Sequence, residues 1–276
     1  MCIEKAGCAE RRANGSIVPR FRRMVFFWTT LALTVSASVF AQEDDPAVVP
    51  YRPSVATPAE LPAPGWPELE AGWNGTKGGD VDRSHSTPML FKLAWNDSWA
   101  FLAGTDAFDW QRDSDGNSSH SGGDTTLTLK YQLPINETVD LGAELGVLLP
   151  TARRPIGTGH SDWGVNTIAS FDFDATHIDV NVGATELGEV DDGQGHWQGA
   201  WAVAVSRPLR GQFGLTGEVS GLVQRGASAQ SQCLVAVNDN VSRKLVLDMA
   251  VAAGLSHAAP DWQLMAGLTV QLGHWF

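Results

Sequence analysis

The sequence has few cysteines, few basic residues and no long segment with helical periodicity. Of its 276 residues three are Cys and 19 are Lys or Arg, against 31 Asp or Glu, which gives a formal net charge of −12. An acidic chain without a basic stripe argues against nucleic-acid binding. Outside the N-terminal region no apolar run approaches the ~18 residues of a transmembrane helix, which argues against a helical membrane protein.

The N-terminal region has the features of a secretory signal peptide. A cluster of arginines precedes the apolar run 24–40, and Ala41 ends a plausible cleavage site. We therefore expect residues 1–41 to be a cleaved signal peptide with an N-terminal extension. Acidic residues instead of basic ones follow this run, which disfavours an uncleaved anchor. Cleavage would leave Cys233 as the single cysteine, so the exported chain has no internal disulfide.

A proline-rich stretch follows the predicted signal peptide. Residues 46–67 contain seven prolines, and a segment with so few backbone N–H donors forms neither a helix nor a central strand. We expect residues 42–66 to be an extended periplasmic linker. A plug inserted into the body of the protein is the alternative.

From residue 67 onward apolar and polar residues alternate in segments of about ten residues. In residues 126–133 four apolar side chains lie on one face, and Thr, Lys and Gln lie on the other. The alternation predicts an all-β fold with twelve strands, which begin near residues 67, 87, 99, 123, 138, 163, 176, 195, 211, 231, 242 and 262.

The connections between these strands fall into two classes. Those after even-numbered strands are short, at 96–97, 134–137, 174–175, 207–210 and 238–240, whereas those after odd-numbered strands are mostly longer and polar, such as 112–123, 150–162 and 188–196. Outer-membrane barrels have short periplasmic turns and long external loops. The sequence therefore predicts that residues 67–276 form a transmembrane antiparallel up-and-down barrel in the outer membrane of a Gram-negative bacterium.

The polar faces of the strands predict the lining of the barrel. They place ten polar side chains on one side: Lys92, Lys130, Asp140, Glu144, Asn166, Asp172, Asp179, Asn181, Glu218 and Asp248. Burying so many polar groups in a dry core is costly, whereas a water-filled lumen removes most of the cost. Because six of the ten are acidic, we expect the lumen to favour cationic or neutral solutes.

Aromatic residues cluster at the ends of the predicted strands, as in the interfacial girdles of barrels. They are Trp95, Trp99, Trp163, Trp197, Trp262, Trp275 and Phe276. In the last segment Leu268, Val270 and Leu272 alternate outward and Phe276 follows. This pattern resembles the C-terminal strand that outer-membrane barrels present to their assembly machinery. His274 departs from the pattern, because an aromatic or apolar residue usually stands two positions before the terminal aromatic.

Residues 85–276 also resemble a narrower family. The segments 123–133, 144–152, 157–165 and 177–184 (GDTTLTLKYQL, ELGVLLPTA, GTGHSDWGV and HIDVNVGA) occur in that order. They resemble the outer-membrane transporter family named after the meta-pathway of phenol degradation. The resemblance implies an exported barrel that passes small, often aromatic, molecules.

Two other chemistries find little support. Asp113, Asp115 and Asn117 have the spacing of a calcium loop, but Ser118 replaces its glycine and Asp124 replaces its final Glu, so we expect a hydrated surface loop. His160, Ser161 and Asp162 are adjacent, and neighbours along a strand point to opposite faces, so they cannot converge as a triad. We expect no enzyme activity, no metal site and no cofactor.

The sequence thus favours an outer-membrane channel that passes small solutes by passive diffusion, with membrane lipid, solute and assembly machinery as partners. A non-transporting structural or adhesive barrel that binds a partner through its external loops is the alternative. A secreted soluble β-sandwich is a third hypothesis.

Overall fold

The computed structural model describes residues 45–79 and 81–276, and the predicted signal peptide lies outside these residues. In the described part of the chain no helix is long and apolar enough to cross a membrane.

The described residues form a closed antiparallel barrel. The strands are β1 (Glu68–Lys77), β2 (Arg83–Asn96), β3 (Trp99–Arg112), β4 (Ser118–Ser121), β5 (Thr125–Asn136), β6 (Val139–Leu149), β7 (Asp162–Phe173), β8 (Thr176–Glu186), β9 (Trp197–Pro208), β10 (Phe213–Gln224), β11 (Gln230–Ser242), β12 (Leu245–Gly254) and β13 (Trp262–Gln271). Strand β1 pairs with both β2 and β13, which closes a barrel of twelve strands. The predicted twelve-stranded barrel is confirmed, and the β-sandwich hypothesis is wrong.

The thirteenth strand, β4, is an addition to this barrel. It lies in the connection after β3, which we predicted as a loop, and pairs with the outer part of β3 from Asp109 to Arg112. One short turn was also misplaced. Strand β11 continues through Asn238 and Asp239, which pair with β12, so the turn lies at residues 243–244 and not at 238–240.

The alternation of the strands separates an apolar outer face from the lumen. In β12, Leu247, Met249 and Val251 are exposed, whereas Asp248 and Ala250 point inward and are buried. The predicted girdle residues are exposed at strand ends: Trp95, Trp99, Trp275 and Phe276 at one end of the barrel, and Trp163, Trp197 and Trp262 at the other. Such an apolar belt suits contact with lipid.

The proline-rich segment lies inside the barrel. We expected residues 42–66 to be a periplasmic linker, but from Pro46 to Leu61 the described part of this segment is hydrogen-bonded to inward-pointing side chains. In this extended conformation the backbone N–H and C=O groups have no hydrogen-bond partners within the segment. The polar inner wall supplies the partners. We call residues 45–66 the plug.

Candidate solute path through the barrel

The two ends of the barrel differ in their connections. We call the end with the short turns (97–98, 137–138, 174–175, 209–212 and 243–244) the turn end, and the opposite end the loop end. The plug enters at the turn end, where the Val48 N–H donates to the carbonyl of Arg243. In outer-membrane barrels the short turns face the periplasm.

Lys92 anchors the first part of the plug. Its buried ammonium group lies 2.9 Å from Glu68 and 2.7 Å from Glu70, and it also donates to the carbonyl of Val49. The same two carboxylates accept hydrogen bonds from the plug, at 3.0 Å from the Val49 N–H and 2.7 Å from the Tyr51 N–H. Removal of one partner from such a buried ion pair strongly destabilises the folded protein, because the other charge is left buried without a partner.

Tyr51 lies between two lysines of the wall. The ammonium groups of Lys92 and Lys130 are each 4.0 Å from the centre of its ring, which is a cation–π geometry. The plug has a first limb before residue 55 and a second limb after residue 59. The Tyr51 hydroxyl donates to the carbonyl of Glu60 at 2.8 Å and so joins the two limbs. The neighbouring Arg52 forms an ion pair with Asp248 at 3.5 Å.

The middle of the plug crosses the lumen, and we call its residues 55–59 the arch. Glu218 accepts hydrogen bonds from the N–H groups of Val55 and Ala56, at 2.8 and 2.9 Å. The Ala59 N–H donates to the hydroxyl of Ser170 at 2.8 Å. Two wall side chains donate to arch carbonyls, Lys130 to Pro58 at 2.6 Å and Asn181 to Thr57 at 3.2 Å.

All ten polar residues singled out in the sequence lie on strands, at positions that point inward. Six of them contact the plug directly: Lys92, Lys130, Glu144, Asn181, Glu218 and Asp248. Glu144 lies 3.1 Å from Lys130 and accepts a hydrogen bond from Asn166. Asp172 and Asp179 both bind His177, at 2.7 and 3.0 Å, and Asp140 accepts a weak hydrogen bond from Gln132.

Above the arch the lumen is hollow. A cavity of about 580 Å³ occupies the loop-end half, and its lining includes Val55 of the arch. We call it the loop-end cavity. The described residues of its lining include no Lys or Arg, and its two acidic residues are both engaged: Glu144 by Lys130, and Asp162 by the N–H of Gly188. Among these residues only Asp162 has no cationic partner, so the lining has little charge to balance that of an ion.

Glycines create much of this space. Gly146 and Gly164 are directly paired on β6 and β7, and Gly183 of β8 pairs with Asn166 beside them. All three line the cavity, together with the small side chains of Ala200 and Ala202. Uncharged polar groups complete the wall: Thr126, Thr128, Thr185, Ser220, Gln230, Gln232 and Gln263.

A second cavity, of about 380 Å³, lies at the turn end. Its lining includes His177 of β8, Ser206 of β9 and Thr216 of β10, together with the turn residues Asp174 and Ala175. We call it the turn-end cavity. The arch lies between these two spaces.

The loop-end surface contains local hydrogen-bond and ion-pair networks. Asp113 accepts hydrogen bonds from Asn117, whereas Asp124 bonds to Ala152 and Thr158 of a different loop, so the two ends of the calcium-like spacing do not converge. Arg154 and His160 both bind Glu189, and hydrogen bonding by Arg154 lowers the pKa of Glu189. In the described part of the chain no cluster of three metal-ligating side chains occurs.

The last strand lies beside the first. Its Leu268, Val270 and Leu272 share the outer face, whereas Thr269 and Gln271 point inward and are buried. The strand ends at Gln271, and the chain continues alongside the plug, where the His274 ring lies 4.9 Å from that of Trp66. This contact gives His274, the residue that departs from the expected pattern, a partner in the fold.

Sequence reasoning missed three parts of this site. They are the carboxylates Glu68 and Glu70 of β1, the plug residues Tyr51 and Arg52, and the glycine wall. The alternation of Glu68, Glu70 and Gly72 with Leu69 and Ala71 was a signal for the first of these.

Solved outer-membrane barrels share this fold. An outer membrane channel from Pseudomonas putida F1 superposes with a TM-score of 0.61 at 13% identity, over 78% of this chain and 98% of that chain. The KdgM porin gives 0.54 at 8% identity, over 75% and 99%, and the NanC porin 0.52 at 8%, over 75% and 100%. No protein-family model and no curated protein sequence matches this chain. The fold is that of a Gram-negative outer-membrane β-barrel.

Proposed function

We propose that the protein is an outer-membrane channel for small uncharged solutes and that the plug occludes it in the state described. The observation that supports this most directly is the loop-end cavity, a hollow of about 580 Å³ inside a closed barrel. Side chains can fill a barrel of about eight strands, so a purely structural barrel needs neither twelve strands nor such a space. The printed descriptions of the similar structures, a channel and two porins, agree with transport.

The charge of the lining favours uncharged solutes over ions. From the sequence we expected an acidic lumen that prefers cationic or neutral solutes, but the lumen carboxylates lie mainly in the turn-end half, where the plug or His177 engages most of them. A solute in the loop-end cavity meets hydroxyl, carboxamide and small apolar groups instead. Small aromatic molecules, which the resemblance to the phenol meta-pathway family implies, are compatible with such a lining.

The test compares the full-length protein with a variant that lacks residues 43–66, both reconstituted in planar bilayers. We expect little conductance from the full-length protein and a clear increase after the deletion. A deletion variant that assembles, as judged by heat-modifiable migration, but does not conduct would favour the structural or adhesive barrel, for which the plug bound across the lumen is the supporting observation.

We also propose that the last strand is recognised by the barrel-assembly machinery through Leu268, Val270, Leu272 and Phe276. The apolar row on the outer face supports this proposal: Leu268 and Val270 are half-buried, and Leu272 and Phe276 are exposed. Phe276→Ala should reduce the amount of heat-modifiable barrel in the outer membrane, whereas Leu209→Ala, which removes an exposed apolar side chain from a turn, should not. Equal amounts for Phe276→Ala and the wild type would contradict it.

A further inference from the structure

The two cavities approach each other most closely along β8, β9 and β10. On these strands the loop-end cavity is lined by Asn181, Ala202 and Ser220, and the turn-end cavity by His177, Ser206 and Thr216. On each strand the two lining residues are four positions apart, which corresponds to roughly 13 Å of extended chain. One inward-pointing residue per strand lies between them.

The arch covers these three intermediate residues. Asp179, Ala204 and Glu218 are only 6%, 2% and 4% exposed. Ala56 packs against Ala204, and Glu218 binds the N–H groups of Val55 and Ala56. Asp179 accepts a hydrogen bond from Ser170, whose oxygen accepts one from the N–H of Ala59. The barrier between the cavities is therefore one layer of wall residues together with the arch.

The arch is held differently from the rest of the plug. Two ion pairs join the first limb to the wall, Arg52 with Asp248 at 3.5 Å and Asp45 with Lys244, whereas the arch residues 55–59 have no charged side chain. In the described part of the chain Glu218 forms no ion pair, and its Oε1 atom is buried without a hydrogen-bond partner. Its Oε2 atom accepts both hydrogen bonds from the plug, and the donors are neutral backbone N–H groups. Glu218 can therefore release the arch without separating opposite charges.

We propose that the arch alone is the gate between the two cavities and that Glu218 is the positioning residue that keeps it closed. The ion-paired limb then stays bound to the wall while residues 55–59 move. This inference rests on the proposed channel function and specifies which part of the plug opens.

The experiment measures opening in two independent ways on the full chain. Single-channel recordings compare Glu218→Ala and Glu218→Gln with Asp192→Ala, which removes an exposed carboxylate of an external loop that lines neither cavity. In parallel, Ala56→Cys in a Cys233→Ser background places a thiol at a position that is 2% exposed. Its rate of modification by a water-soluble maleimide reports exposure of the arch.

We expect Glu218→Ala to raise both the frequency of opening and the maleimide rate by about tenfold, since charge-assisted hydrogen bonds are stronger than neutral ones. Glu218→Gln keeps an acceptor oxygen and should show a smaller increase, and Asp192→Ala should show none. Heat-modifiable migration checks that each variant forms a barrel.

Three outcomes would overturn the inference: no increase for Glu218→Ala, an equal increase for Asp192→Ala, or more openings at an unchanged maleimide rate. If any one of these outcomes occurs while the variant without residues 43–66 conducts, the gating hypothesis is wrong and the channel function stands. If that deletion variant assembles but does not conduct, the channel function itself fails.

Discussion

The turn-end and loop-end halves of the lumen are built on opposite principles. The turn-end half contains most of the charged wall residues, and the plug, whose backbone groups bind those charges, leaves only the smaller turn-end cavity open. The loop-end half is lined mainly by glycine, alanine, hydroxyl and carboxamide groups and contains the larger cavity. A charged wall thus holds the plug, and a wall with few charges leaves room for a solute. In the proposed channel, closure depends on the first half and solute selectivity on the second.

Removing the plug should break this contrast most completely. After deletion of residues 43–66 the lumen wall has two lysines, Lys92 and Lys130, and eight carboxylates. The carboxylates are Glu68, Glu70, Asp140, Glu144, Asp172, Asp179, Glu218 and Asp248. We expect the deletion variant to be cation-selective, because excess wall charge attracts counter-ions. The measurement is the reversal potential in a KCl gradient across a planar bilayer. An anion-selective deletion variant would show that the wall charges do not control conduction.

Loss of the Lys92 ammonium should have the next largest effect. Lys92→Met leaves Glu68 and Glu70 buried without their cation, which costs about 3–5 kcal/mol. We expect a lower temperature for the heat-modifiable transition in detergent. Lys244→Ala is the control, since Lys244 is about half exposed and its ion pair with Asp45 contributes about 0–1 kcal/mol. Equal shifts for the two variants would contradict a special role for the buried lysine.

The same contrast explains what the sequence could predict. Alternation with a period of two predicted the strands and the inward position of residues such as Lys130 and Glu218, because a closed barrel imposes one environment on each face. Strand β11 alternates poorly for a physical reason. Its inward residues Leu234 and Ala236 are buried in an apolar cluster, so both of its faces are apolar.

The plug and the cavity could not be predicted in this way. The plug binds wall residues far away in sequence, with 163 positions between Val55 and Glu218, and a proline-rich segment has no periodicity to indicate its partners. The cavity depends on missing side chains at Gly146, Gly164 and Gly183. Alternation puts each of these glycines on the polar face of its strand, but only the assembled register shows that they lie side by side.

Filling the loop-end cavity should reduce transport without opening the plug. A leucine at Gly146 projects into the lumen, where the first added carbon meets only the flexible hydroxyl of Thr128 at 3.3 Å and a carbonyl oxygen at 3.8 Å. We expect Gly146→Leu, combined with Glu218→Ala, to slow uptake of uncharged solutes several-fold in a liposome-swelling assay. Gly217→Leu is the matched control, because no atom lies within 4 Å of the carbon it adds and its position alternates with the inward Thr216 and Glu218. Equal slowing by both leucines would mean that the cavity is not on the solute path.

The smallest expected effect concerns the rim of the loop-end half, where Arg154 holds Glu189 across two loops. Since hydrogen bonding by Arg154 lowers the pKa of Glu189, this contact stabilises the rim above the ordinary carboxyl pKa and is lost as the pH falls through the lowered value. We expect the methyl resonance of Ile156, in the same loop, to show increased mobility only at pH values below the ordinary 4.5 of a Glu side chain. Glu189→Gln should produce this mobility at neutral pH, whereas Asp192→Asn should not. Since both groups are exposed, the change should be modest and should weaken with salt. A rim that remains rigid in Glu189→Gln at neutral pH would show that the neutral contacts of the loop hold it, with no contribution from the ion pair.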